Sequence, residues 1–121
     1  MTPVTTPRDV AEAFSRHHFR DAYDALHPDV VWTAVGNVTL TGREAVVDAC
    51  ERTLAALVST TVEFTRFVSV ADTQAAAVDV VARYTAPDGG LSVVSSCDVY
   101  EFRDGAVTAI TSYAAELEST G

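Results

Sequence analysis

The chain has 121 residues, 8 of them Lys or Arg and 17 Asp or Glu, for a net charge of −9 and 48% hydrophobic residues. That composition predicts one folded unit with its own core over residues 1–121 and excludes a disordered chain, and the acidic excess disfavours nucleic acid and anionic membranes as partners. Every basic residue is arginine, and the missing lysine excludes a lysine Schiff base, a pyridoxal-phosphate anchor and a P-loop lysine.

Residues 1–10 show no basic region followed by an apolar run, so no secretory leader is expected. Thr6 and Pro7 then open a helix as N-cap and first helical residue. Val10, Ala13, Phe14 and His17 repeat at helical spacing and predict its inward face. A second, short helix is expected over 21–26, stopped by His27-Pro28-Asp29 because Pro28 disfavours helix at the preceding residue. The β-branched and aromatic run 30–35 reads as a strand, and Gly36-Asn37 turns it into a short partner over 38–40. A long helix over 43–58 follows, with Thr41 and Glu44 at capping-box spacing and an apolar stripe of Val46, Val47, Cys50, Leu54, Leu57 and Val58.

Strands fill the rest of the chain, over 60–70, 74–85, 91–103 and 106–117. A tight turn at Ala71-Asp72-Thr73, the signal Pro87-Asp88-Gly89-Gly90 and the hairpin pair Asp104-Gly105 separate them. Helices gathered ahead of a strand meander indicate an α+β fold with the helices on one face of a curved sheet.

Alternation assigns faces. In 91–103, Asp98 shares a face with Tyr100 and Phe102, while Glu101 and Arg103 face solvent. In 74–85, Ala76, Val78, Val80, Ala82 and Tyr84 face the core, with Asp79 and Arg83 outside. In the last strand the pattern does not choose between Val107/Ala109/Thr111/Tyr113 and Thr108/Ile110/Ser112/Ala114. The pattern leaves the faces of 60–70 open too; a two- or four-residue turn would pair Arg66 near Asp79 on the outer face and leave Phe64, Val68 and Val70 outside as well. An apolar outer face of this kind points to a homodimer through the sheet.

Three stretches together resemble one family: Leu26-His27-Pro28-Asp29-Val30-Val31-Trp32, Leu40-Thr41-Gly42-Arg43-Glu44-Ala45-Val46, and Cys97-Asp98-Val99-Tyr100-Glu101-Phe102-Arg103-Asp104-Gly105-Ala106-Val107. They are similar to the SnoaL-like branch of the nuclear-transport-factor-2-like superfamily, which is related to polyketide cyclases and ketosteroid isomerases. The resemblance spans nearly the whole chain. It implies a cystatin-like α+β cone barrel, with a strongly curved antiparallel or mixed sheet wrapped around about three helices and a pocket at the open end. Members are often dimers. Asp98 matches the strand aspartate that donates a hydrogen bond to the oxyanion in ketosteroid isomerases. That enzyme's general-base aspartate would fall near Thr33 or Ala34, its tyrosine near Val10, and the cyclase's acid/base aspartate at about Ser112. None of these positions carries the matching group. The match implies that Ile110, Ser112 and Ala114 face inward.

Asp98 is therefore the sharpest catalytic candidate. A carboxyl on an apolar face loses hydration, which suits an acid/base or a neutral donor. The alternative is a buried aspartate satisfied by a Tyr, a Trp or a hydroxyl, with no chemistry. His17 and Tyr100 are weaker candidates for the same chemistry, and Phe14, Trp32, Leu54, Tyr84, Tyr100, Ile110 and Ser112 are expected to line a ligand pocket. His17 and His18 lack an i, i+4 ligand pair, so no metal site is expected. Cys50 and Cys97 form neither a disulfide scaffold nor a metal spacing. They read as buried reduced thiols in a cytoplasmic protein.

Two functions remain open. One is a cofactor-independent isomerase, cyclase or hydrolase acting on a small, mostly apolar carbonyl- or epoxide-bearing molecule. The other is a non-catalytic ligand-binding or dimerisation module with the same fold.

Overall fold

The computed structural model describes residues 6–120. The leader expectation rests partly on residues 1–5, which lie outside the described residues, as does residue 121. Helix α1 (Pro7–Ser15) starts as expected, with the Thr6 hydroxyl accepting the Asp9 N–H at 3.1 Å and Pro7 in the first turn. Its buried face is Val10, Ala11, Phe14 and Ser15. Ala13 is half-buried beside it, and His17 lies past the helix end with φ 66°. A 3-10 helix (Phe19–Ala25) follows, starting earlier than the sequence pattern suggests, and buries Phe19 and Ala22.

Strand β1 (Leu26–Ala34) begins ahead of Pro28 rather than after it. Its pairing with β6 (Ala106–Thr120) jumps from Leu26↔Val107 to Val31↔Ala109, so Pro28 sits in the looped-out part, where a missing N–H breaks no ladder bond. Gly36, at φ 79°, makes the turn into β2 (Thr39–Thr41).

Thr41 does not cap the next helix. It is committed to the β1–β2 ladder opposite Val31, and Gly42 at φ 95° turns the chain into α2 (Arg43–Ala56) with no side-chain cap. The Gly42 N–H is instead tied to the Val30 carbonyl at 2.7 Å. Along α2, Val46 and Cys50 are fully buried, and Val47 and Leu54 pack against the core. The helix stops at Ala56, so Val58, expected in the stripe, is exposed. Arg20 and Tyr23 hold Glu51, at 2.8–3.0 Å and 2.7 Å, and so tie the 3-10 helix to α2.

Strands β3 (Thr61–Ala71), β4 (Ala75–Thr85), β5 (Leu91–Arg103) and β6 form the expected antiparallel meander. Asp104 and Gly105 both take positive φ, 52° and 82°, as a two-residue hairpin turn requires. Asp72 accepts the N–H groups of Gln74 and Ala75 at 2.8 and 2.9 Å and so locks the β3–β4 turn. The strand pair β1–β2 joins this meander through a parallel contact between β1 and β6, giving one six-stranded mixed sheet of order β2-β1-β6-β5-β4-β3. The sheet is curved and unclosed, and with the three helices it forms the expected α+β cone rather than a closed barrel.

Two bulges reset which residues face in. In β3 the register skips Thr65, between Phe64↔Ala82 and Arg66↔Val81. Arg66 therefore meets Asp79 on the outer face at 3.0 Å, as expected, while Phe64 turns inward against the core. The expectation that Phe64 lies outside is corrected by this one extra residue. In β6 the register skips Thr108, so Val107 and Ile110 are both buried although their odd spacing would put them on opposite faces of a regular strand. Val68, Val70 and Tyr113 remain on the exposed outer face, and Cys97 is only half-buried there. Among the described residues, no helix is long and apolar enough to cross a membrane.

Candidate functional site

Between α1, the 3-10 helix and the inner face of the sheet lies a cavity of about 250 Å³. Phe14, Phe19, Trp32, Phe64, Val80 and Val94 make its apolar wall, and Ser15, His17, Thr53, Tyr84, Ser96, Asp98 and Ser112 supply its polar groups. That volume is just below the ~300–1,000 Å³ of pockets for drug-sized ligands and suits a smaller molecule. Two larger concavities lie elsewhere, of about 340 Å³ beside Val70 and Val99 and about 720 Å³ beside the Asp104-Gly105 turn. Neither gathers converging hydroxyls and titratable groups around an apolar wall, which is what marks the inner cavity as the site.

Asp98 is held by hydroxyls from both sides. Ser112 Oγ donates to Oδ1 at 2.6 Å and Ser15 Oγ donates to Oδ2 at 2.9 Å, with the Tyr100 hydroxyl 3.5 Å from Oδ2. With Asp98 accepting from both serines, the remaining donor directions follow. Indole N–H only donates, so Trp32 Nε1 gives its proton to Ser112 Oγ at 2.9 Å and leaves the serine proton for Asp98. Likewise Ser15 spends its one proton on Asp98, so at the 2.6 Å contact Tyr100 donates to Ser15. Two relays, Trp32–Ser112 and Tyr100–Ser15, thus converge on one carboxyl group whose two oxygens both accept.

Strand register explains the convergence. Asp98 lies opposite Ser112 in the β5–β6 ladder, Ser112 beside Ala34 in the parallel contact, and Trp32 two positions back on the same face. Ser15 comes from the last turn of α1, 5% exposed. It was not legible as a site residue, although its helical spacing of four from Ala11 places it on the buried face. Phe14 anchors the wall through edge-on contacts with Phe19, Trp32 and Tyr100, with ring centroids 4.9, 5.1 and 5.9 Å away, each worth about 0.5–1.5 kcal/mol beyond burial.

At the other end, His17 Nε2 lies 2.9 Å from the Tyr84 hydroxyl, and Nδ1 is buried with no hydrogen-bond partner among the described residues. Burial lowers the His17 pKa, against the attraction of Asp98 and with the repulsion of His18. Burial raises that of Tyr84, and the charge of Asp98 adds to the rise, so the phenol stays protonated. Burial also drives the Tyr100 hydroxyl well above its usual value, with Asp98 again contributing.

Of the pocket residues expected from sequence, Phe14, His17, Trp32, Tyr84, Asp98 and Ser112 line the cavity. Leu54, Tyr100 and Ile110 do not: Leu54 packs against the core, with Thr53 in its place, and Tyr100 and Ile110 lie fully buried beneath the site. The inward set Ile110, Ser112 and Ala114 is the one observed. His18 is exposed at the start of the 3-10 helix.

The family model described as a SnoaL-like domain matches residues 8–110. The chain belongs to the SnoaL-like family. Its fold is that of solved nuclear-transport-factor-2-like proteins. An NTF2-like protein of unknown function from Cytophaga hutchinsonii superposes with a TM-score of 0.79 at 24% identity, over 94% of this chain and 100% of that one. A candidate polyketide cyclase from Xanthomonas campestris gives 0.68 at 21%, over 86% and 83%. An epoxide hydrolase of the LEH-like type from M. tuberculosis gives 0.67 at 21%, over 94% and 86%. No curated protein matches the sequence. At these identities the solved neighbours of this SnoaL-like chain establish the fold, and the reaction has to be argued from the site.

Proposed function

We propose that this SnoaL-like protein is a cofactor-independent enzyme of the isomerase, cyclase or hydrolase kind, acting on a small, mostly apolar, neutral carbonyl- or epoxide-bearing molecule. The observation that carries the reading is Asp98 on the wall of an aromatic cavity, with both oxygens held as acceptors by Ser15 and Ser112. A carboxylate offers about four lone-pair positions, so this geometry leaves acceptor capacity for a substrate. Asp98 then works as a proton acceptor rather than as an oxyanion donor. It takes a proton from a carbon beside a carbonyl, or from a water that attacks an epoxide carbon, and returns it to the product. Proton transfer of this kind needs only a positioned acid/base group. No arginine lines the cavity among the described residues, which favours a neutral substrate over an anionic one.

Asp98→Asn keeps the shape and removes the base. Turnover of a panel of ketones, lactones and epoxides is expected to fall about 10²–10⁴-fold in the variant. Equal turnover by parent and variant would refute the role of Asp98. A parent protein inert to the whole panel would favour the second reading, a ligand-binding module. That reading is supported by the hydroxyls that already bond both Asp98 oxygens and by the absence of a second carboxylate from the cavity lining among the described residues.

The apolar outer face supports a homodimer. Val68, Val70 and Tyr113 are exposed on it, beside the ion pairs Arg66–Asp79 and Arg83–Glu63. A second copy of the same face would cover the apolar side chains. Sedimentation is expected to show a dimer that Val70→Glu converts to a monomer; a monomeric parent refutes it. A cytoplasmic setting fits two free cysteines.

A further inference from the structure

We propose that Tyr84 is the hydrogen-bond donor for an uncharged carbonyl oxygen at the end of the cavity away from the Ser112 relay, and that His17 holds it in that role as the Nε2–H tautomer. The inference deepens the reading above and rests on it.

The chain spends an unusual backbone conformation on His17. A non-glycine residue at φ 66° just past α1 brings the imidazole against Phe19, Phe64 and Tyr84, with ring centroids 5.4, 6.0 and 6.0 Å away. One hydrogen bond joins Nε2 to the Tyr84 hydroxyl at 2.9 Å. It can run in two directions. If the phenol donates, the neutral ring must carry its proton on Nδ1, and that atom is buried with no acceptor among the described residues. If Nε2–H donates, Nδ1 is a bare lone pair. Orphaned buried N–H groups are rarer than under-satisfied acceptors, so the second direction wins. The charged ring would strand the same N–H with a full charge behind it, and burial opposes it.

With its oxygen accepting from His17, the Tyr84 phenol keeps its proton for the cavity. Of the other donors around the wall, Ser15 and Ser112 are committed to Asp98, Trp32 to Ser112 and Thr53 to the Ala49 carbonyl, which leaves the Ser96 hydroxyl as the competing donor. Tyr84 and Asp98 line one cavity on adjacent strands, and the Asp98 charge reaches both Tyr84 and His17. A ligand bridging them presents an acceptor oxygen to the phenol and its carbon skeleton to the carboxylate. The class this selects is a ketone or lactone with an apolar body.

The tautomer can be read directly, since hydrogen positions on imidazoles are assigned rather than seen. Long-range proton–nitrogen NMR of the intact protein at neutral pH, with His17→Gln to assign the signal, is expected to show Nε2 protonated and Nδ1 bare. The reverse pattern overturns the proposal. Binding is then measured for a tetralone and for tetralin, which differ only in the carbonyl. Tyr84→Phe is expected to weaken the ketone about tenfold and change the hydrocarbon by less than about twofold. If both ligands bind and Tyr84→Phe treats them alike, or if Ser96→Ala produces the selective loss instead, the Tyr84 assignment falls while the cavity reading stands. If neither binds the parent, the cavity reading fails and takes this inference with it.

Discussion

Ser15→Ala tests the hydroxyl relay at its most buried member. Ser15 is 5% exposed, and its Oγ accepts from Tyr100 at 2.6 Å while donating to Asp98 at 2.9 Å. Deletion removes one bond to a charged acceptor, worth about 1.5–3 kcal/mol, and one between neutral hydroxyls, worth about 0.5–1.5 kcal/mol. Part is recovered, because the Tyr100 hydroxyl already stands 3.5 Å from Asp98 and can close on it. The expected net loss is about 2 kcal/mol, a fall in Tm of roughly 6–10 °C for a chain of this size. Urea unfolding followed by fluorescence measures it cleanly, because Trp32 is the sole tryptophan and sits on the other relay into the same carboxyl. The decisive result comes from the double variant Ser15→Ala/Tyr100→Phe. If the relay is real, the pair should cost about 1 kcal/mol less than the sum of the singles. Costs that add within about 0.3–0.5 kcal/mol would show that the two hydroxyls act independently and would refute the relay.

The Thr65 bulge makes a contrast between two residues on one strand. Phe64→Ser is expected to cost about 2–4 kcal/mol and Val68→Ser within about 0.5 kcal/mol in the same urea assay, and equal costs would refute the inward turn of Phe64. Acid stability has a named contributor in Glu51, whose pKa the Arg20 hydrogen bond and the Tyr23 hydroxyl lower from 4.5 to about 2. Because the folded value lies below the unfolded one, the stabilisation is complete above pH 4.5 and is lost as pH falls towards 2. Glu51→Gln should therefore flatten the acid limb of a stability–pH profile over that window, and an unchanged slope would remove Glu51 from the account.

Local chemistry carried much of the architecture into the sequence. Thr6-Pro7 marked the first helix, Gly36-Asn37 and Asp104-Gly105 marked turns through their tolerance of positive φ, and period-two alternation put Asp98, Tyr100 and Phe102 on the inner face of β5. These signals depend on a few adjacent residues, and nothing distant overrides them. Thr41 shows where such reasoning ends: its capping-box spacing was sound, but pairing with Val31 claimed it for a strand.

What the tertiary structure decided is non-local. The parallel contact of β1 with β6 brings Trp32 and Ser112, eighty residues apart in sequence, to 2.9 Å. The skipped residues Thr65 in β3 and Thr108 in β6 move Phe64 and Val107 to the inner face, because a period of two turns any insertion into a change of side. Ser15 and the Tyr84–His17 pair meet their partners only when the helices close over the sheet. The sequence by itself determined the order of elements and singled out Asp98; packing decided which hydroxyls hold it and which side chains share its cavity.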